Sequence, residues 1–230
     1  MLHRIKGVRR TTVMLVAAGA ALLVFATAGS AGSPKIQNGD FETGDATGWT
    51  TDCEPYTTSD CTGQGWFVSN KKLTPVNGQS WYGPMQKEWE AVSDFSSNPP
   101  SADNEYATAV LVQQVSLGSK KSKLSFDLEW NNRTGVWCNP GDLDPNSDCG
   151  APPWNQQIRV FIQNAGDDPY TDPAVLTLFQ SHNSTPFKQK KTKISMSLAG
   201  LSGPYQIVFA AVGAEYILNV GVDEVSINNG

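Results

Sequence analysis

Asn38-Gly39-Asp40-Phe41-Glu42-Thr43-Gly44-Asp45, with Gly48-Trp49 just beyond, and Val222-Asp223-Glu224-Val225-Ser226-Ile227 near the other end are the stretches on which the fold turns. The first reads, from Ile36, as a short strand running into a Thr-Gly-Asp turn, and the second as a closing strand. Between them lie short runs that alternate apolar and polar residues, punctuated by Gly, Pro and Asn. Residues 123–131 alternate most cleanly, with Leu124, Phe126, Leu128 and Trp130 on one side and Ser125, Asp127 and Glu129 on the other. Residues 157–163 set Ile158, Val160 and Ile162 against Arg159, Phe161 and Gln163, and residues 192–198 turn Ile194, Met196 and Leu198 inward. Residues 205–212 are almost continuously apolar, which suits a strand covered on both faces. Further strands are expected at 65–68, 106–117, 175–180, 216–220 and 222–227, and the rest of residues 44–100 reads as loop. No stretch after residue 31 sustains a helical apolar period. The pattern predicts an all-β protein, an antiparallel β-sandwich in a single domain.

The start of the chain has a different character. Residues 1–12 carry Arg4, Lys6, Arg9 and Arg10 and no acid, an apolar run follows to Ala28, and small residues continue to Ala31. Basic, apolar, small is the order of a secretory signal peptide, so residues 1–31 are expected to be a leader and 32–230 the working domain. Arg9-Arg10 raises the twin-arginine route, but Thr11-Thr12 continues it poorly and favours the general secretory one. Removing the leader leaves 13 Lys+Arg against all 22 Asp+Glu, which argues against nucleic acid or anionic lipid as partner. With no second apolar run, stable membrane insertion is not expected and a secreted, extracellular protein is. Cys53, Cys61, Cys138 and Cys149 all follow the leader, and an even number in an exported chain points to disulfides. Local pairing, Cys53 with Cys61 and Cys138 with Cys149, is the simplest connectivity, and neither spacing suits zinc.

In order along the chain, Asn38–Asp45 with Gly48-Trp49, then Leu111-Val112-Gln113-Gln114-Val115, Leu124-Ser125-Phe126-Asp127 and Gly221-Val222-Asp223-Glu224-Val225 resemble the galactose-binding-domain-like jelly rolls. Within that group the resemblance is to bacterial carbohydrate-binding modules of the cellulose- and xylan-binding type, and it covers most of residues 35–228. It implies a jelly-roll sandwich, a structural Ca2+ bridging the first and last strands, and a sugar site on the concave sheet or in the loops at one end. Fold alone does not settle which function such a sandwich carries.

Residue types add candidates. If Asp223, Val225 and Ile227 share one face of the last strand, Asp223 is directed toward buried surface, where either a cation with Asp40 or Glu42 as a further ligand would balance it or Asp223 caps backbone N–H groups at the end of the sandwich. Asp142, Asp144, Asn146 and Asp148 alternate in a second acidic loop, although Ser147 stands where a calcium loop needs Gly, and an Asx-turn loop explains them as well. Trp49 and Trp66 are expected in the core. Trp81, Tyr82, Trp89, Trp137 and Trp154 lie in loops, where flat rings either cover the C–H face of a sugar or act as lids over small cores. Asp127, Glu129, Arg159 and Gln163 are expected to form one polar row that either binds a glycan or is simply solvated. Lys120, Lys121 and Lys123, and Lys188, Lys190, Lys191 and Lys193, read as guards of strand edges, the alternative being contact with an anionic wall polymer. His182 is the sole His beyond the leader, no nucleophile elbow is present, and no catalytic residues are assigned. The expectation is a non-catalytic protein that binds a polysaccharide or other glycan; the alternative is a surface or matrix protein using the same sandwich for protein contacts.

Overall fold

A computed structural model of the chain describes residues 35–55, 65–71, 83–94, 107–118, 121–133, 135–144, 147, 155–213 and 218–229. Ten strands lie among them: β1 Thr50–Pro55, β2 Trp66–Ser69, β3 Glu90–Asp94, β4 Ala107–Leu117, β5 Ser122–Asn132, β6 Gln157–Asn164, β7 Leu176–Gln180, β8 Lys188–Ser197, β9 Gly203–Gly213 and β10 Leu218–Asn229. They pair antiparallel in two five-stranded sheets, ordered β1-β4-β9-β6-β7 and β2-β3-β10-β5-β8. The expected β-sandwich is therefore present. Among the described residues no helix is long and apolar enough to cross a membrane.

The core forms where the inward sides of the alternating strands meet. Leu124, Phe126, Leu128 and Trp130 of β5 and Ile158, Val160 and Ile162 of β6 all join it, as their spacing predicts. Phe209 of β9 sits at its centre, with Phe126 edge-on at 5.1 Å and Trp49 at 5.9 Å. Each such aromatic, fully withdrawn from water, contributes about 2 kcal/mol through the hydrophobic effect. Trp49 and Trp66 are buried, as expected. β9 is covered on both sides: Ile207, Phe209 and Ala211 face the main core, while Val208, Ala210 and Val212 face a second apolar cluster.

Two expectations need correction. Residues 36–42 form bends and turns rather than a strand, with Asn38 and Phe41 in the left-handed backbone region. They are held by other means: Gln113 of β4 accepts from Gln37 N and donates to Gln37 O and Gly48 O, and the Trp49 indole donates to Asn38 O. Val225 N donates to Gly39 O at 2.7 Å, an approach so close that a Cβ on Gly39 would lie 2.0 Å from Val225 O. The second correction concerns Asp223. β10 shifts register between Asp223 and Ser226, with Glu224 at φ 50°, so this β-bulge resets the alternation. Val222 and Val225 both reach the core, and Asp223 faces away from it.

Candidate functional site

The outward side of the first sheet is not a bare polar surface. Its register aligns Asp52–Val110–Ala210–Arg159–Gln180 in one row across β1, β4, β9, β6 and β7, and Thr50–Val112–Val208–Phe161–Thr177 in the next. A third row brings together Gln114, Gln206 and Gln163. Val110, Phe161, Val208, Ala210 and Val212 make an apolar floor, closed over by Leu143 from one loop and by Tyr170 and Ala174 from another.

Both loops are tied to the sheet by buried polar side chains. Gln163 Nε2 donates to Asp168 O and Asp172 O, and Gln206 Nε2 to Asp167 O and to Gln163 Oε1. Inside that loop Asp168 accepts from Tyr170 N and from the Thr171 hydroxyl. On the other loop, Thr108 donates to Leu143 O, Asn155 Nδ2 to Asp142 O and Asp144 O, and Gln157 Nε2 to Asp142 O. Orphaned backbone carbonyls would otherwise destabilise such cover.

Two cavities open between floor and loops, meeting at Pro169. One, of about 400 Å³, is lined by Thr50, Asp52, Val110, Val112, Gln114 and Gln206, with Gly48 and Pro169. The other, of about 300 Å³, has Phe161, Leu143 and Pro173 as apolar wall and Arg159, Asp142 and Tyr170 as polar groups. The Arg159 guanidinium stacks 5.3 Å from the Phe161 ring centroid and donates through Nη1 to Gly141 O. Burial pulls its pKa below the usual value, opposed by Asp142. Burial, then Asp52, raises the Tyr170 phenol, and burial, then Asp168, Asp144 and Asp52, raises Glu54. The rim is thus acidic, with one arginine inside it.

This geometry sorts the candidates. Arg159 lines a cavity. Gln163 is fully buried and holds a loop, so it is a support and not a ligand contact. Asp127 and Glu129 lie on β5, in the other sheet, so the expected single row with Arg159 and Gln163 does not exist. Trp137 is buried, with its indole donating to Thr185 O, and acts as a lid. Trp89 is half-buried against the core with its ring over Gly44. Trp81, Tyr82 and Trp154 lie outside the described residues. Asp52, Gln114, Phe161, Tyr170 and Gln206 were missed as site residues; the one available signal was that 205–212 is apolar on both sides, which implies cover on the outer face.

The residues expected to hold calcium do not fit it. Asp40 Oδ2 faces Lys87 Nζ at 2.7 Å, and this ion pair holds the Asp40 carboxyl below its usual pKa. Glu42 Oε1 accepts from Glu88 N and Trp89 N, and Asp223 accepts from Gln86 N and Glu224 N. These carboxylates clamp residues 86–89 instead of converging on one point. Among the described residues no three His, Cys, Asp or Glu gather as metal ligands. In the second acidic loop, Asp142 accepts from Asp144 N and the Ser147 hydroxyl, an Asx-turn arrangement, while Asn146 and Asp148 lie outside the described residues. No described cysteine is free; Cys61 and Cys149 are outside the described residues, and the pairing with them.

No family model matches the sequence, and no curated protein matches it. Solved structures do. The K3 adhesin domain of Lys-gingipain from Porphyromonas gingivalis W83 matches with a TM-score of 0.50 at 15% identity, over 85% of this chain and 99% of that one. The module TmCBM61, solved in complex with β-1,4-galactotriose, gives 0.47 at 12%, over 85% and 97%. A family 16 carbohydrate-binding module gives 0.41 at 14%, over 84% and 99%. At 15% identity the likeness to the adhesin domain speaks for the fold alone, a two-sheet β-sandwich.

Proposed function

We propose that the chain is an exported, non-catalytic protein that binds an uncharged polysaccharide on the outer face of the β1-β4-β9-β6-β7 sheet. The observation that carries this reading is the pair of adjoining cavities with an apolar floor and a polar rim. Apolar walls suit the C–H face of a pyranose, while carboxylate, amide and guanidinium groups suit its hydroxyls. Ligand pockets span about 300–1,000 Å³, so cavities at the low end of that range suit a short stretch of a sugar chain. The acidic rim disfavours uronate or phosphate polymers by like-charge repulsion. Export rests on the leader-like order of residues 1–31 and the even cysteine number.

Affinity electrophoresis in gels containing soluble neutral glycans tests this reading. Asp52→Ala and Arg159→Ala should each weaken retention at least tenfold, on the order of 1.4 kcal/mol. Retention equal to wild type in both variants, or no retention by any glycan, would overturn it.

A further inference from the structure

The outward side of the second sheet bears carboxylates and amides where the first bears valines. Across its three central strands stand Glu90, Val92 and Asp94 of β3; Asn219, Gly221 and Asp223 of β10; and Asp127, Glu129 and Asn131 of β5. Register sets Asn131 opposite Asn219, Glu129 opposite Gly221 and Asp127 opposite Asp223. Directly opposed side chains start about 5 Å apart and diagonal ones about 7 Å, so Glu129, Asn131 and Asn219 meet within reach of one another. Glu129 and Asn219 are 0% exposed and Asn131 7%.

The donors on this face are taken by its other members. Asp127 accepts from Gln86 Nε2 at 2.7 Å and is flanked by Lys191 at 3.3 Å and Lys193 at 3.6 Å. Asp223 has two backbone N–H groups. Asn219 Nδ2 donates to Asp94 Oδ1, which fixes the amide so that Oδ1 is its free acceptor. Among the described residues, nothing donates to Glu129 Oε1 or Oε2, Asn131 Oδ1 or Asn219 Oδ1. Four buried acceptor oxygens from three adjacent side chains, with no described amide, hydroxyl or ammonium donor to them and with the Glu90 carboxyl beside Glu129, are the ligand chemistry of a hard cation. Glu90 of β3 faces Glu129 as well, and the two buried amide oxygens set the site apart from a cluster made of acids alone.

We infer that Glu129, Asn131 and Asn219 bind a calcium-class divalent cation on the outer face of the second sheet. The site lies on the face opposite to the cavities and stands or falls independently of glycan binding. It is also separate from Asp40 and Glu42, whose carboxylates are taken by Lys87 and backbone N–H groups.

Calcium titration of chelator-treated protein, followed by calorimetry and by thermal melting, tests the inference. One equivalent of Ca2+ should bind and raise the Tm. Glu129→Gln should weaken binding at least tenfold, and Asn131→Asp, which adds a negative ligand without changing shape, should strengthen it. Glu42→Gln should bind as wild type does. Absence of any heat and Tm shift with Ca2+, Mn2+ or Mg2+ would overturn the site, as would wild-type binding by both Glu129→Gln and Asn131→Asp. Loss of binding in Glu42→Gln alone would also overturn it, by placing the cation at the terminal segments. Should Glu129→Gln fail to fold, the Asn131→Asp affinity decides.

Discussion

The two sheets have the same number of strands and the same alternation, yet their outer faces are opposites. On the first, Val110, Phe161, Val208 and Ala210 are sealed under two loops, and the polar side chains there serve mainly to hold the loops down. On the second, Asp127 and Asp223 are buried and take the available donors, while the buried oxygens of Glu129, Asn131 and Asn219 have none. The comparison shows that burial alone does not tell which strand face is the core. Both outer faces here are covered: on the first the loops leave two cavities beside an apolar floor, and on the second buried oxygens are left without donors.

The largest effect should come from the first face. Phe161 is 2% exposed and belongs to the outer cluster. Phe161→Ala should cost about 3–5 kcal/mol, as for any buried Phe truncated to Ala, measured by denaturant unfolding. A loss well below that range would mean that Phe161 packs loosely, as the wall of a groove wider than the cavity it lines.

How much of this was readable follows from which signals are local. Alternation within β5 and β6 showed correctly which side of each faces the core, and the continuous apolar run of β9 anticipated cover on both sides. Strand order is not local: β5 is flanked by β10 and β8, and β6 by β9 and β7, so Asp127 and Arg159 look alike in sequence but occupy different sheets. β1 and β3 escaped notice because Thr50-Thr51-Asp52-Cys53-Glu54-Pro55 and Glu90-Ala91-Val92-Ser93-Asp94 carry little apolar alternation. Their place depends on backbone pairing with β4 and β10. Asp223 was misplaced for a third reason. A single bulge residue, Glu224, flips every parity argument carried across it.

A smaller effect separates support from contact on the first face. Gln163 touches no cavity but joins β6 to Asp168 O and Asp172 O. Gln163→Leu leaves those carbonyls without their donor, which should cost about 1–3 kcal/mol. It should also weaken glycan retention, because Pro169 and Tyr170 ride on that loop. Unchanged stability with lost retention would instead make Gln163 a direct sugar contact.

The gentlest probe acts on the second face, through pH in the presence of chelator. Burial first, and then the Glu90 carboxyl, push Glu129 up to about 9; burial pushes Asp223 up to about 8 against the pull of two N–H donors. The groups facing Glu129 are Glu90 on β3, Asp223 on β10 and Lys190 on β8, and only the lysine favours its ionised form. The unfolded chain releases both protons near the ordinary carboxylate values of 4.5 and 3.8, whereas the folded protein keeps them to about 9 and 8. Between those limits the folded state binds more protons, so stability is highest at the acidic end and declines as pH rises toward 9. Asp40 and Asp45, held low by Lys87 and by hydrogen bonds from Thr47 and Thr43, act below their usual value of 3.8 and leave this window alone. Melting curves from pH 5 to about 9 should therefore show a falling Tm, and Glu129→Gln should flatten the fall. A Tm that rises over the window would mean that donors reach Glu129, and the contrast between the two faces would then lie in their side chains but not in how those side chains are satisfied.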